Sequence, residues 1–247
     1  MAGVEVTFLG CGDAFGSGGR FQTCFMIRAG QTRFLVDCGA SSLIAMRRLG
    51  VQPNDIDMIL VSHLHGDHFG GIPFFILDAQ LISKRSRPLR IAGPPGLAKR
   101  IREAMEVLFP GSSQVRHAFA IDFEALAPGE SPSLGTVTVT PYEVSHPSGA
   151  PAFALRIECG GRTVAYTGDT EWCEALIPAA READLLIAEA YFYDKKVKFH
   201  LDLETLRAHL HELRPKRLIL THMSADMLAR VNELDIECAE DGKTVSL

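Results

Sequence analysis

The sequence predicts an α/β fold in which sheets are covered by helices, and three observations predict it. Strand-like apolar runs arrive in groups, with helical stretches between and after them. No low-complexity segment, long Pro/Gly/Ser linker or repeat interrupts the chain, so residues 1–247 read as a single domain. With 247 residues, 47% of them hydrophobic and 22% charged, the chain has the length and composition for one sizeable core.

The elements follow in order. Val4-Glu5-Val6-Thr7-Phe8-Leu9 is an alternating run and predicts a strand over 4–9, with hairpin-like strands over 23–28 and 32–36 behind it. A helix fits 42–49, closed by Gly50, and a strand fits 58–61. The segment 74–90, apolar and then basic, has two uses open to it: lining the site, or forming the interface of a homodimer. A helix fits 96–108, then strands fit 137–144, 152–158 and 163–166. Helices over 171–182 and 203–213 alternate with strands over 185–188 and 217–220, and Asp202 is placed to cap the later helix.

Charge and cysteine usage bound the function. A formal net charge of −5 offers no broad basic face for a long nucleic acid, although a local basic patch can still meet a nucleotide. The opening residues carry no basic stretch with an apolar one behind it, so no secretory signal is read there. Apolar runs are short and broken by Gly, Pro or charge, too short to span a bilayer. Cys11, Cys24, Cys38, Cys159, Cys173 and Cys238 are scattered with no C-x-x-C pair. They are expected as reduced, mostly buried thiols of a cytoplasmic protein.

One pattern organises the chemistry: four strand-like runs each end in a potential metal ligand. Met58 to Ser62 runs into His63, Tyr142 to Ser145 into His146, Thr163 to Gly168 into Asp169, and Arg217 to Thr221 into His222. Ligands just past strand ends converge at one edge of a sheet, where a rigid scaffold meets its loops. The densest stretch is His63-Leu64-His65-Gly66-Asp67-His68. Neutral imidazole and carboxylate are the ligands zinc and related divalent ions prefer, and packing gives no reason for three imidazoles and a carboxylate within six residues. His63 and His65 can address one ion while Asp67 and His68 turn towards a second, with Gly66, Gly70 and Gly71 freeing the backbone for the tight loop. Asp169 can cap a helix opening near Glu171 or act as a ligand, and the pattern favours the ligand. His117, His209 and His211 fall outside the pattern, the last two as surface residues of a helix.

These residues resemble the metallo-β-lactamase superfamily and, within it, the ribonuclease Z-like phosphodiesterase branch. His63, His65, Asp67 and His68 match the motif H-x-H-x-D-H in full, and His146, Asp169 and His222 match the later single motifs in order. Phe8-Leu9-Gly10-Cys11-Gly12-Asp13-Ala14 and Leu35-Val36-Asp37-Cys38-Gly39 are similar to the same branch. The resemblance implies a four-layer αββα sandwich. It implies two metal ions, zinc first and manganese or iron as alternatives. His63, His65 and His146 would hold one ion and Asp67, His68 and His222 the other, with Asp169 bridging and Asp37 orienting a ligand. It further implies a metal-dependent hydrolase in which Asp67 ligates and steers the attacking water. His200, supported by Glu189, would protonate the leaving oxygen.

Substrate class is read from smaller features. Glu189-Ala190-Tyr191-Phe192 with His200 resembles the paired loops of ribonuclease Z, and Lys195, Lys196 and Lys198 stand just before His200, as an anion-attracting cluster or as a solvated loop. Leu201-Asp202 departs from the small hydroxylated pair usual in ribonuclease Z, and no long basic arm is present. The expectation is therefore a small anionic phosphodiester, such as a cyclic nucleotide or short oligonucleotide, and not a transfer RNA. The alternatives are a thioester, lactone or sulfate-ester hydrolase of the same fold, a di-iron redox enzyme, or a non-catalytic metal-binding protein. An intact His65 argues against the redox enzyme, and the filled ligand positions argue against the last.

Overall fold

A computed structural model describes residues 3–247 of the chain. The first half forms β1 (Val4–Gly10), β2 (Cys24–Ala29), β3 (Thr32–Val36), α1 (Ser42–Arg48) and β4 (Met58–Leu60). It continues with α2 (Gly66–Phe69), α3 (Ile72–Leu81), β5 (Leu89–Gly93), α4 (Leu97–Leu108) and β6 (Ile121–Ala125). The second half forms β7 (Ser133–Leu134), β8 (Val137–Val144), β9 (Ala152–Cys159), β10 (Arg162–Tyr166), α5 (Leu176–Ala180) and β11 (Leu185–Glu189). It ends with α6 (Leu203–Leu213), β12 (Leu218–Thr221), α7 (Ala225–Ala229), β13 (Glu237–Cys238) and β14 (Thr244–Ser246).

Two seven-stranded sheets result, ordered β14-β1-β2-β3-β4-β5-β6 and β13-β12-β11-β10-β9-β8-β7. Alternation along the strands decides what each face meets. Phe25 and Ile27 of β2, Phe34 and Val36 of β3, and Met58 and Leu60 of β4 point inward, where they meet Phe153, Leu155, Val164, Tyr166 and Ile187 of the other sheet. Leu35 and Ile59 point outward beneath the helices that carry Met46, Phe75, Ile76 and Ile101. Behind the second sheet, Ala154, Ala165 and Leu186 pack on Leu176, Leu206 and Leu213. The fold is thus the αββα sandwich that the resemblance implies.

In each sheet four neighbouring strands run parallel, β3 to β6 in one and β10 to β13 in the other. Their carboxyl ends, together with that of β8, therefore open onto one edge, and every candidate ligand follows such an end.

Some elements differ from the sequence reading, for physical reasons. The helix expected over 171–182 is only Leu176–Ala180. Pro178 has no N–H to donate and fits only a first turn, so no helix could reach back to Glu171. The segment 74–90 begins within α3, a helix with apolar residues all round, which lacks the 3.6-residue contrast that would reveal it, and runs through a loop into β5. The helix packs behind the first sheet, and the segment lines no part of the ligand cluster. Gly66, Gly70 and Gly71 adopt no positive φ, and close approach explains two of them instead. A Cβ on Gly70 would stand 2.4 Å from the Gly66 carbonyl oxygen, and one on Gly71 would stand 2.2 Å from that of Gly39. Among the described residues no helix is long and apolar enough to cross a membrane. Each cysteine is free, and all but Cys173 are buried.

Candidate metal centre

Seven side chains from both sheets meet at this edge. His63, His65 and His146 form one group, and Asp67, His68, Asp169 and His222 a second; within each group the potential ligand atoms lie within 4.8 Å of one another. These are the two sets that the resemblance implies, with Asp169, expected between them, falling in the second. Asp169 sits between them: its Oδ2 lies 3.8 Å from His63 Nε2, 3.3 Å from His68 Nε2, 4.0 Å from His146 Nε2 and 3.2 Å from His222 Nε2.

The surrounding hydrogen bonds fix which nitrogen each ring presents. Asp37, fully buried with a left-handed backbone at φ 59°, accepts from Ser62 N–H and from Ser62 Oγ–H, both at 2.7 Å, and from His68 Nδ1–H at 2.7 Å. Since Ser62 Oγ donates its one proton to Asp37, it must accept from His63 Nδ1–H, 3.0 Å away. Thr23 Oγ1 donates to the Gly12 carbonyl and so accepts from His222 Nδ1–H at 3.3 Å. His146 Nδ1–H donates to the Phe199 carbonyl at 2.9 Å. Four imidazoles thus have their N–H turned outward and an Nε2 lone pair turned inward. His65 differs, for its Nδ1 faces the cluster, 3.0 Å from His146 Nε2.

Lone pairs and carboxylates crowded together repel unless something positive lies between them. Three buried atoms, His63 Nε2, His68 Nε2 and Asp169 Oδ1, have no hydrogen-bond partner, although such groups are normally satisfied. Burial, reinforced by the neighbouring His68, holds His63 well below the usual histidine range, and burial also lowers His146. Burial opposes the charge on Asp169, but positive charge at the facing His222 and His68 outweighs it and lowers its pKa, while the carboxylates around His68 outweigh burial and raise that ring. A divalent cation between them would take the place of that proton, since imidazole lone pairs and carboxylates are its usual donors. The residues present therefore fit the two ions that the resemblance implies.

Beside the cluster stands a second pair. His200 Nδ1–H donates to Glu189 Oε1. The other oxygen of the fully buried Glu189 accepts from Thr170 N–H at 3.0 Å and Leu201 N–H at 3.2 Å. Burial works against a charge on His200, but the bond to Glu189 and the nearby carboxylates prevail and raise its pKa. Glu189 and His200 also lie within 4.8 Å of Asp169 and His222, so geometry alone permits them to ligate. His200 has the same outward Nδ1–H as the four ligand rings, so the Nε2 it turns inward can either meet an ion or carry a proton.

A cavity of about 210 Å³ opens over both groups, lined by Ala14, Phe15, His65, Asp67, His146, Asp169, Tyr191, His200 and His222. A larger cleft, about 530 Å³, lies at the opposite end of the first sheet among Arg28, Arg33, Lys84, Arg85 and Arg87 and contains none of these residues. Ser62, Thr23, Tyr191 and the Phe199 carbonyl escape sequence reasoning. For Tyr191 a signal existed, its place two residues after Glu189. Lys196 and Lys198 stand outside the ligand cavity, in the wall of a neighbouring cleft.

Comparison with known proteins agrees with this architecture. Residues 4–241 match the family model described as Anti-Pycsar protein Apyc1. A Ribonuclease Z of Mycobacterium sp. (strain KMS) is 31% identical over 76% of this chain and 68% of its own. A Ribonuclease Z of Methanosarcina acetivorans is 28% identical over 90% of this chain and 88% of its own. The crystal structure of human tRNase Z, short form, superposes with a TM-score of 0.79 at 26% identity, covering 98% of both chains.

Proposed function

The chain belongs to the Anti-Pycsar protein Apyc1 family, within the ribonuclease Z-like branch of the metallo-β-lactamase superfamily, and from that premise we propose that it is a phosphodiesterase acting on a small nucleotide-type diester. It is a metal-dependent hydrolase. In this reading residues 1–247 work as a single hydrolase domain in the cytoplasm, where six unpaired cysteines stay reduced. His63, His65 and His146 would hold one divalent ion and Asp67, His68 and His222 the other, zinc in both cases, with Asp169 available to either set. Bound there, such ions lower the pKa of a water towards neutrality and neutralise the charge of the diester.

The observation that carries the reading is the His200–Glu189 pair in the same cavity as the ligand cluster. Asp67 steers the attacking water by accepting its hydrogen bond. As the new bond to phosphorus forms, the electron pair of the breaking P–O bond leaves with the departing oxygen, which takes the proton of His200 Nε2. Glu189 holds the ring in position and stabilises its charge. The small cavity, the net charge of −5 and the lack of an arm favour a cyclic nucleotide or short oligonucleotide over transfer RNA. Leu81 and Ile82, exposed where α3 ends, fit a homodimer, which sedimentation velocity tests directly.

The test compares cyclic AMP with bis(p-nitrophenyl) phosphate, using zinc- or manganese-loaded wild type and His200→Ala. Nitrophenolate departs without a proton, whereas an alkoxide needs one. His200→Ala should therefore lower turnover of the cyclic nucleotide by roughly a hundred- to ten-thousand-fold and of the nitrophenyl ester far less. Metal content should stay at the wild-type level, and its loss would make His200 a ligand. Loaded wild type that cleaves neither diester would return the thioester, lactone or sulfate-ester reading.

A further inference from the structure

We propose that the cleft adjoining the metal cavity across His200 is the subsite for the nucleoside that carries the departing oxygen of the diester. The inference rests on the phosphodiesterase reading. A group that protonates the departing oxygen must touch it, so the departing alcohol lies on the His200 side of phosphorus. His200 lines two spaces, the 210 Å³ cavity over the ligand cluster and a cleft of about 480 Å³ on its other side. The larger space is therefore where that alcohol extends.

Its walls match a nucleoside. The indole of Trp172 stacks on the His209 ring, with centroids 3.7 Å apart and planes at 11°, a flat π surface of the kind on which nucleobases stack. Lys196 and Lys198, both exposed, supply donors for sugar hydroxyls and base carbonyls. The acids of the cleft are already engaged. Glu171 accepts from Ser145 Oγ–H at 2.7 Å and Phe199 N–H at 3.3 Å, and Asp202 accepts from Thr205 N–H at 2.8 Å as it caps α6. The hydrogen-bonding groups left for a ligand are thus mainly donors, suited to an acceptor-rich aromatic alcohol.

Reaction within this arrangement balances without a co-reactant. Water supplies the oxygen of the new P–O bond, the bond to the nucleoside oxygen breaks with its electron pair, and that oxygen takes the His200 proton. A proton from the attacking water later restores His200.

Trp172 is the only tryptophan in the chain, so its fluorescence reports on the cleft. Zinc-loaded protein is titrated with AMP, and with ribose 5-phosphate as the baseless control. AMP should quench the emission saturably and ribose 5-phosphate should not. Trp172→Ala should raise KM for cyclic AMP by about 5- to 150-fold, the loss expected for one base–aromatic stack. Trp172→Phe, which keeps an aromatic ring and apolar packing, should raise it less and guards against misfolding of the alanine variant. Cyclic AMP cleaved without AMP quenching, or with KM within twofold of wild type in both variants, overturns the subsite and leaves the phosphodiesterase reading standing. Quenching in a protein that cleaves no diester removes the phosphodiesterase reading but keeps the cleft as a nucleoside site.

Discussion

Replacing Asp37 by Asn changes one oxygen to an NH2 group, and the hydrogen bonds trace the effect to both metal positions. Asn tolerates the left-handed backbone that Asp37 adopts, so the perturbation is chemical and not conformational. Asp37 accepts three hydrogen bonds, and Asn can keep the one from Ser62 N–H. Its NH2 then faces Ser62 Oγ and His68 Nδ1, which both donated before. His68 must carry its proton on Nε2, where it points at Asp67 and Asp169, 3.3 Å away, and is no longer a ligand. Ser62 Oγ, now accepting from Asn, can donate to His63 Nδ1 and send that ring to the same wrong tautomer. The expected loss of metal affinity is about 10- to 100-fold, or roughly 1.4–2.7 kcal/mol. Asp37→Ala is less informative, because three buried donors without acceptors at roughly 1–3 kcal/mol each approach the stability of a whole domain. The assay is zinc content after equilibration against buffers of graded free zinc, with circular dichroism to confirm folding. A folded Asp37→Asn protein that binds zinc within threefold of wild type would refute the tautomer argument.

Chelation of divalent cations should abolish diesterase activity, and added zinc or manganese should restore it; activity that survives exhaustive chelation contradicts the metal reading. The hydrogen bonds from Arg217 and Lys243 hold Glu237 at about 2, below its ordinary 4.5, so its contribution is present above pH 4.5 and is lost as pH falls through 2. Glu237→Gln should then be less stable than wild type by no more than about 1 kcal/mol at neutral pH, with the gap closing in acid unfolding curves; a gap that widens in acid would be wrong in sign. Burial raises Cys38 to about 12 and Cys159 to about 11, and also pushes the Cys24 thiol well above its ordinary value. Ellman's reagent at pH 8 should label one thiol quickly, the half-buried Cys173, and the others only on unfolding; several fast thiols would contradict the packing.

The candidate ligands were legible in the sequence because each follows a strand whose apolar run announces it, and because H-x-H-x-D-H concentrates chemistry that packing does not explain. The groups that orient the ligands were not. Thr23 supports His222 across the width of the fold, and neither neighbourhood advertises the other. Phe199 holds His146 through a carbonyl, a group every residue carries, so no side-chain pattern records it. Elements faded where contrast faded: α3 is apolar on every side, and β6 is a short strand at a sheet edge. Pro178 was a readable stop signal inside a stretch whose composition otherwise suits a helix.

The ligand cluster draws His63, His65, Asp67 and His68 from the first sheet and His146, Asp169 and His222 from the second. His63 and His222 are roughly 160 residues apart in the chain. A pair of cations seated there would act as a cross-link between the two halves of the polypeptide, closing a loop of roughly 160 residues. Loop-closure entropy grows with the logarithm of such a span. The residues that assemble the candidate metal centre would therefore also be those through which metal supply governs how firmly the two sheets stay joined.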